Sequence, residues 1–338
     1  MTIVATLDAV ARALPAGYRA RPFRDEDREA IVAERNADLP EVEHESAAEW
    51  REWERSTPDP TRVRVVVDAA SGAYAGNMDV GQGGLLRAPD GSARAGVFVA
   101  RAHRRLGLGG ALVAAVESAA RDMAAPKLHG GVSAREPEAL AWAQKRGYRE
   151  IGRRIQAAVD LDRFDPARWR ERARRPLESG VRFTTLEQLK REMDAERLEA
   201  FLHRVYDVET VTWADIPVAT PLAHWGYDVF RRLLLEQRGS APDLDVFALD
   251  GDTVVGLTSS FRGEGGRKGG TGYTAVLPAY RGRGIAFALK IEALTRAKTS
   301  GMRWMITTND EPNKAMRAVN YTLGYEPLPA HIQLEKTL

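Results

Sequence analysis

Two stretches of the sequence decide its fold: Val99-Ala-Arg-Ala-His-Arg-Arg-Leu-Gly-Leu-Gly109 and Val276-Leu-Pro-Ala-Tyr-Arg-Gly-Arg-Gly-Ile-Ala286. Each runs from an apolar residue into a turn rich in arginine and glycine. Each is followed by a segment whose apolar residues recur at helical spacing, such as Leu112 and Val116 after the first turn and Ile285 and Leu289 in the second. Both stretches therefore predict a strand, a tight turn and a helix.

Three landmarks of the two halves share one offset of 177 residues: Arg104 with Arg281, Gly107 with Gly284, and Arg146-Gly-Tyr148 with Leu323-Gly-Tyr325. Internal repetition at a fixed distance is typical of duplicated domains. Because 338 residues exceed the usual size of one domain, we expect two, over residues 1–164 and 181–338. The arginine-rich segment 165–180, which contains Pro166 and Pro176, is the predicted linker.

The surroundings of the two stretches predict similar elements in both halves. In the first half the pattern predicts strands over 18–23, 61–68, 74–80 and 94–99, with a polar helix over 25–31. In the second half, Asp250-Gly251 predicts a hairpin between strands over 246–249 and 253–257, followed by a strand over 271–277. After each helix we expect a short strand (127–132 and 304–308), a helix that ends at Gly-Tyr, and terminal strands.

Composition excludes several classes of protein. The 49 basic and 47 acidic residues leave a net charge of +2, which argues against a dedicated nucleic-acid binder. Cysteine is absent and the six histidines are scattered, so we expect no metal. The sequence has neither a signal-like N-terminus nor an apolar run of about 18 residues, so the expected location is the cytoplasm, without membrane association.

The glycine and arginine turns have the chemistry that phosphate needs. A helix N-terminus leaves backbone N–H groups unpaired and carries a partial positive charge. Glycine permits positive φ and close approach, while arginine adds charge and forked donors. A dinucleotide-binding loop would also follow a strand, but Gly282-Arg-Gly284 is followed by Ile285-Ala-Phe287 and lacks the third glycine.

The order of these elements resembles the GNAT superfamily of N-acetyltransferases. The signature covers residues 97–148 and 271–325, and the second half adds Thr308-Asn-Asp-Glu-Pro-Asn313. The resemblance implies an α/β fold of two tandem domains. Each would have a mixed, mostly antiparallel central sheet, helices on both faces and middle strands that splay apart.

The resemblance also implies how acyl-CoA is held. In the second half the cofactor residues would be Val276, Arg281, Gly282, Arg283, Gly284, Ile285, Ala286 and Asn313. In the first half they would be Val99, Arg104, Arg105, Gly107, Leu108 and Gly109. The backbone N–H near Val276 would stabilise the oxyanion, because a fixed donor is effective there. Asn313 would touch the pantetheine arm.

The acid and base are the weakest part of the pattern. Where many family members have an acidic tyrosine, four residues before the Gly-aromatic pair, this sequence has Asn320 and, in the first half, Ala143. Tyr321 lies about 100° round the helix and is the fallback acid; Asn309 completes the candidate catalytic set. The carboxylates Glu264, Asp310 and Glu311 are expected to be solvated, as acidic residues mostly are.

Several alternatives stay open. The sequence favours transfer of an acetyl group from acetyl-CoA to a primary amine of a small molecule or peptide, by direct attack, in the second half. A non-catalytic acyl-CoA-binding protein, an O-acyltransferase and a nucleotide-binding enzyme are the alternatives. Trp213, Trp225 and Tyr227 either line an acceptor pocket or belong to the core. The chain is expected to be a monomer or a homodimer.

Overall fold

The computed structural model of the protein describes residues 3–56, 61–84, 87–236 and 239–338. The elements of the first half are α1 (Ile3–Ala13), β1 (Tyr18–Pro22), α2 (Asp27–Asn36), α3 (Ala47–Ser56), β2 (Thr61–Ala69), β3 (Tyr74–Gln82), β4 (Ala93–Val99), α4 (Leu108–Asp122), β5 (Lys127–Ser133), α5 (Pro137–Gln144) and β6 (Arg149–Asp160). The elements of the second half are α6 (Arg170–Glu178), β7 (Val181–Thr185), α7 (Leu186–Glu192), α8 (Ala195–Trp213), α9 (Tyr227–Leu235), β8 (Val246–Asp250), β9 (Thr253–Arg262), β10 (Lys268–Val276), α10 (Ile285–Thr299), β11 (Trp304–Asp310), α11 (Lys314–Thr322), β12 (Glu326–Pro327) and β13 (His331–Thr337).

These elements form two compact units. Unit 1 consists of residues 1–153, 219–223 and 331–338, and unit 2 of residues 154–218 and 224–330. The last strand of the chain, β13, which the sequence-based boundaries place with the second half, lies in unit 1 and pairs with β5. Residues 154–160 of β6 lie in unit 2 and pair with β11. The domain boundaries drawn from the sequence stay a prediction.

The sheet of unit 1 runs in the order β1-β2-β3-β4-β5-β13. Its pairs are antiparallel except β4 with β5, which are parallel. The valines at 63, 65 and 67 alternate along β2 and pack with α1 and α4 on one face. The other face carries α2 and α3, because Glu54 of α3 pairs with Arg64 of β2. Helix α2 begins two residues later than predicted and continues to Asn36.

The sheet of unit 2 has a similar order, β7-β8-β9-β10-β11-β6, and β10 with β11 is its parallel pair. Val276 packs with Ile285 and Leu289 of α10 on one face. Phe201 and Val205 of α8 pack with β8 and β9 on the other. The predicted fold class, a mixed and mostly antiparallel sheet with helices on both faces, is confirmed. The predicted linker contains α6, where Arg172 lies over the ring of Phe287.

The repeat seen in the sequence extends to the bounds of the elements. Helices α4 and α10 both have 15 residues, and their first residues, Leu108 and Ile285, are 177 apart. Strands β5 and β11 have 7 residues each and keep the same offset. Helices α2 and α8 end at Asn36 and Trp213, again 177 residues apart. One numbering offset therefore identifies equivalent positions around both turns.

Lys290 is a lysine buried in the interior of unit 2. It lies on α10 with 2% of its surface exposed, and its Nζ donates to Thr271 Oγ1 at 3.4 Å. The ammonium position lies 5.2 Å from the centre of the Tyr325 ring. Burial disfavours the charged form and lowers the pKa of Lys290 to about 7. The native protein therefore releases this proton far below the pH at which the unfolded chain does.

This pKa shift predicts a pH-dependent stability. Between about pH 7 and pH 10 the unfolded chain binds the Lys290 proton and the native protein does not, so this side chain makes stability rise with pH. In Lys290→Met that rise disappears, and the free energy of unfolding at pH 7 increases by on the order of 2 kcal/mol. Urea unfolding across this pH range measures both effects. The exposed Lys190 supplies the control Lys190→Met, and equal pH slopes in all three proteins would contradict the assignment.

Candidate functional site

The turn of unit 2 presents unpaired backbone donors. Gly284 is the N-cap of α10 with φ of 83°, and no side chain caps the helix. The Ala288 N–H bonds to the Gly284 carbonyl at 3.0 Å, which leaves the N–H groups of residues 285–287 without helical acceptors. Gly282 has φ of 77°, so both glycines occupy the left-handed region that other residues rarely enter. The arrangement is an anion-binding helix N-terminus.

Arg281 is held in place at this turn by two contacts. Its Nε donates to the Val276 carbonyl at 3.0 Å, which ties the turn to the end of β10. Its guanidinium also pairs with Asp215 at 2.6 Å. Arg283 donates to the Ala279 carbonyl at 2.9 Å and lies at the surface. Charge and donors therefore surround the unpaired N–H groups.

The parallel strands β10 and β11 pair only at their starts and have separated before β10 reaches this turn. Their pairing covers only residues 268–270 of β10 against 304–306 of β11. A side chain at Gly270 would lie 2.5 Å from the Phe261 ring, so glycine allows the close approach where pairing ends. Beyond it, the Leu277 N–H bonds to Val255 of β9. Because alternate residues direct their N–H groups to opposite neighbours, the Val276 N–H is directed to the opened side.

Of the polar residues predicted on the other side of the opening, only Asn309 and Asn320 are in contact with each other. Asn313 is the N-cap of α11, and its side-chain oxygen accepts from the Met316 N–H at 3.3 Å. Asn320 is buried and donates to Asn309 Oδ1 at 2.7 Å. Tyr321 is 39% exposed, with the Arg317 guanidinium 5.9 Å from its ring centre. The roles assigned to these four residues stay predictions.

Unit 1 contains the same turn with one backbone difference. Arg104 Nε donates to the Val99 carbonyl at 3.0 Å, as Arg281 does to Val276. Gly107 is the N-cap of α4 with φ of 92°. Arg105, at the position equivalent to Gly282, has φ of 63°, which is strained for a residue with a side chain. Leu108 and Gly109 begin the helix.

Two carboxylates form ion pairs with the arginines of the unit 1 turn. Glu136 pairs with Arg104 at 2.9 Å, and Glu138 pairs with Arg105. By the 177-residue offset, Glu136 is the equivalent of the uncharged Asn313. The arginines of this turn are thus partly neutralised by the start of α5, on the opposite side of the opening.

Glu209 is a candidate that the sequence patterns did not single out. It lies on α8 in unit 2 with 3% of its surface exposed, and its Oε2 has no hydrogen-bond partner among the described residues. Burial raises the pKa of Glu209 to about 7, while the Trp225 indole acts in the opposite direction. Desolvation raises the pKa of Tyr273, three residues before Val276, to about 12, and the charge of Glu209 acts in the same direction. A single Glu in a predicted helix is expected to be exposed, so the burial of Glu209 becomes visible only in the packed structure.

Aromatic rings cluster at the part of α8 that carries Glu209, and the Trp225 indole lies close to its carboxylate. Trp213 lies 4.6 Å from Trp225 and 6.3 Å from Tyr273 between ring centres. The Tyr273 hydroxyl is 2.8 Å from Thr212 Oγ1 on α8, which fixes that ring against the helix. His224 is a further member, and burial lowers its pKa. Two of the three aromatics predicted from the sequence, Trp213 and Trp225, thus lie beside β10.

The acidic residues considered from the sequence have different surroundings. Glu264 and Glu311 are exposed, as expected. Asp310 is not solvated as predicted; it is buried at the end of β11 and pairs with Arg154 at 3.3 Å. Strand β6 pairs with β11 and places Arg154 opposite Asp310, a long-range pairing that no local pattern predicts. Asp310 is therefore engaged in a structural ion pair.

Comparison with known proteins identifies the family. The model of the acetyltransferase (GNAT) family matches residues 28–148 and again residues 202–325. The chain belongs to the GNAT family. It carries two GNAT domains, so the duplication read from the offset is confirmed. No curated protein sequence matches the chain.

Solved structures agree on the fold. A GCN5-related N-acetyltransferase from Sphaerobacter thermophilus is 24% identical, with 96% of each chain covered and a TM-score of 0.74. A tandem GNAT protein from the clavulanic acid biosynthesis pathway is 20% identical, with 95% of this chain and 98% of that chain covered and a TM-score of 0.69. The N-myristoyltransferase of Saccharomyces cerevisiae with bound myristoyl-CoA is 8% identical, covering 95% of this chain and 78% of that one, with a TM-score of 0.58. At these identities the likeness concerns the fold alone.

The GNAT fold supports an acyl-CoA-dependent acyltransferase activity. Within the described ranges, no group of side chains has the composition of a metal site. In the same part of the chain, no helix is both long enough and apolar enough to cross a bilayer.

The turn assignment predicts a difference between paired variants. Arg281→Glu with Gly284→Asp places two negative groups against the phosphate-binding N–H groups, so we expect CoA affinity at unit 2 to fall about 100-fold or more. Calorimetric titration with CoA and thiol release from acetyl-CoA measure the loss. Arg104→Glu with Gly107→Asp is the matched control in unit 1, and turnover should survive it. Turnover that instead survives the unit 2 variant would refute the assignment.

Proposed function

We propose that the protein is an N-acetyltransferase that moves an acetyl group from acetyl-CoA to a primary amine of a small molecule or peptide, with unit 2 catalytic. One observation carries the proposal: unit 2 combines an open Val276 N–H on β10 with a buried carboxylate, Glu209, beside the same strand. The position equivalent to Glu209 in unit 1 is Val32. Unit 1 therefore has no carboxylate there.

Glu209 has the properties that a base for this reaction needs. An alkyl amine has a pKa near 10 and must lose a proton before it attacks the thioester carbon. A carboxylate with a pKa of about 7 is substantially ionised at neutral pH and still basic enough to accept that proton. Its environment of Trp213, Trp225 and Tyr273 also attracts cations, since the faces of aromatic rings carry negative charge. An amine entering there would approach β10.

Two steps remain, stabilisation of the oxyanion and protonation of the leaving thiolate. The Val276 N–H is a fixed donor for the oxyanion that develops when the amine adds to the carbonyl. The neutral amine left after Glu209 takes the first proton attacks the carbonyl carbon, and its nitrogen becomes positively charged in the tetrahedral intermediate. That nitrogen releases its second proton to the leaving thiolate as the C–S bond breaks. Neither Asn320 nor the exposed Tyr321 is required for that transfer. Direct transfer without a covalent enzyme intermediate follows from this arrangement.

The ion pairs of unit 1 support the assignment of catalysis to unit 2. In unit 1 both turn arginines, Arg104 and Arg105, pair with carboxylates, those of Glu136 and Glu138. In unit 2 Arg281 pairs with Asp215, and Arg283 has no carboxylate partner among the described residues. A pyrophosphate bound at the turn of unit 1 would have to displace both carboxylates there. These pairs are exposed and individually weak, so breaking them costs little free energy. Their main effect is that the two carboxylates repel the negatively charged phosphates of CoA. The cytoplasmic location expected from the sequence stays a prediction.

Replacing the carboxyl by an isosteric amide tests Glu209. In Glu209→Gln we expect kcat to fall about 10²- to 10⁴-fold with little change in the KM for acetyl-CoA, because a base is lost and the phosphate-binding turn is not. In the native enzyme kcat/KM should rise through about pH 7 as Glu209 ionises, and this rise should vanish in the variant. Steady-state kinetics with a panel of primary amines and alcohols measures both quantities.

The matched control for this substitution is Glu264→Gln, which alters an exposed carboxyl of the same unit and should leave kcat unchanged. Unchanged kcat and pH profile in Glu209→Gln would exclude Glu209 as the base. CoA binding without turnover on any amine would favour an acyl-CoA-binding protein, and turnover on alcohols alone would favour an O-acyltransferase.

Unit 1 should gain affinity when its turn loses the opposing charges. Glu136→Asn with Glu138→Ala introduces the uncharged residue of unit 2 and removes both ion pairs. We expect the number of CoA molecules bound per chain to rise from one to two in calorimetric titration, because negative charge no longer opposes phosphate. Glu187→Ala, which removes an exposed carboxylate paired with Arg191, is the control. A native chain that already binds two CoA molecules equally would contradict the argument.

A further inference from the structure

A cavity of about 450 Å³ opens in unit 1 beneath α3. Its wall includes residues from the start of β2, the end of β3, the start of β4, α2 and α3, together with Asp25 and residues 83, 84, 87, 88 and 92. Arg94, at the start of β4, belongs to this wall, whereas the glycine and arginine turn follows Val99 at the strand's other end. Five residues of extended strand span roughly 17 Å, so the cavity is separate from the CoA turn.

The charge of this cavity is strongly positive. Among the described residues, seven arginines and three carboxylates line it, a formal excess of four positive charges. Two of the arginines also pair with carboxylates outside it, Arg51 with Glu29 and Arg55 with Glu52. Counting these as neutralised still leaves an excess of two positive charges. The cavity would therefore attract an anion.

The central arginines are held in fixed orientations. Glu54 accepts from Arg62 at 2.9 Å and from Arg64 at 2.8 Å, and also pairs with Arg28. Asp79 accepts from the Nε of Arg62 at 2.9 Å. One carboxylate thus serves three guanidinium groups, each of which has five N–H donors, so donors outnumber acceptors in this cluster. Donors that are oriented in advance bind phosphate with little loss of side-chain freedom.

Burial disfavours the charged forms of the groups in this cluster. Desolvation, followed by the charge of Arg62, lowers the pKa of Arg64. Desolvation also raises the pKa of Asp79, which weakens the carboxylate that faces both arginines. An ion-pair network that served stability alone would pack its charges together, but this network encloses open volume. A bound anion would relieve the repulsion between neighbouring guanidinium groups.

We propose that the cavity is a second ligand site, which binds a small molecule bearing two or more phosphate groups. The volume falls within the range of small-molecule sites, about 300–1,000 Å³. Arginine forks match phosphate oxygens in pairs, and several forks converge here. Trp53, 43% exposed in the wall, adds a flat apolar surface on which a ring of the ligand can stack. The site binds a phosphorylated effector or a phosphorylated part of the acceptor, independently of the CoA turns.

Calorimetric titration of the full chain tests this site with pyrophosphate and with ATP as probes. Saturating CoA is present throughout, so that the phosphate-binding turn of unit 2 is already filled. Binding that persists in Arg104→Glu with Gly107→Asp is then not at the turn of unit 1. We expect one pyrophosphate or ATP molecule to bind per chain and its affinity to fall with added salt, because the attraction is electrostatic. Tighter binding of ATP than of pyrophosphate would indicate a ring stacked on Trp53, and equal binding would indicate recognition of the phosphates alone.

Two variants and one control locate the binding. Arg87→Glu reverses an exposed charge of the cavity wall, and Arg62→Gln removes a central charge while keeping a hydrogen-bond donor for Glu54. Each should weaken pyrophosphate binding at least tenfold, without changing CoA affinity. Arg19→Glu makes the same charge change on β1, outside the cavity, and should bind pyrophosphate like the native protein. Thermal unfolding checks that all variants are folded. Absence of binding to the CoA-saturated native protein, or equal weakening by Arg19→Glu and Arg87→Glu, would overturn the proposal.

Discussion

The site depends on the early end of one parallel strand pair. Strands β10 and β11 share only the residues from Lys268 to Gly270 and from Trp304 to Ile306, and then separate. Where the strands have separated, β10 has no hydrogen-bonding strand on one side. The N–H groups on that side are then unpaired, as they would be in an edge strand exposed to water. The Val276 N–H and the first N–H groups of α10 are therefore directed into one opening. In the proposed function, these unsatisfied donors receive the thioester carbonyl and the pyrophosphate of acyl-CoA.

The glycines on either side of the opening have different physical reasons. At Gly270 a side chain would meet the Phe261 ring, so the constraint is space. At Gly284 the constraint is the backbone, because its φ is 83°. Unit 1 tolerates Arg105 in the conformation of Gly282, with φ of 63°. A side chain at a position where the other unit has glycine is consistent with a structural role for the turn of unit 1.

Duplication has left two similar units with unequal chemistry. Equivalent positions hold Asn313 and Glu136, and Glu209 and Val32. The first difference changes the charge opposite the phosphate-binding turn, and the second decides whether a buried carboxylate lies beside the middle strand. Together with the arginine-lined cavity, these differences give unit 1 a proposed ligand site of its own, distinct from acyl transfer.

Local features of the site could be predicted from the sequence, whereas long-range ones could not. The turns at Arg104 and Arg281 are contiguous patterns whose residue types determine the backbone, and a shared offset made the repeat visible. Glu209 was missed because its burial depends on Trp225 and Tyr273, which are distant in sequence. The burial of Asp310 depends in the same way on the strand β6. The pairing of β13 with β5 joins residues about 200 positions apart, which periodicity does not report.

The central claim is that the unpaired backbone N–H groups of unit 2 bind the reacting acyl-CoA. A crystal structure of the protein with acetyl-CoA bound measures this most directly. The account predicts pyrophosphate oxygens within hydrogen-bond distance of the N–H groups of residues 285–287, and the thioester carbonyl oxygen at the Val276 N–H. Acetyl-CoA bound at the turn of unit 1 alone, or with its thioester away from β10, would contradict it.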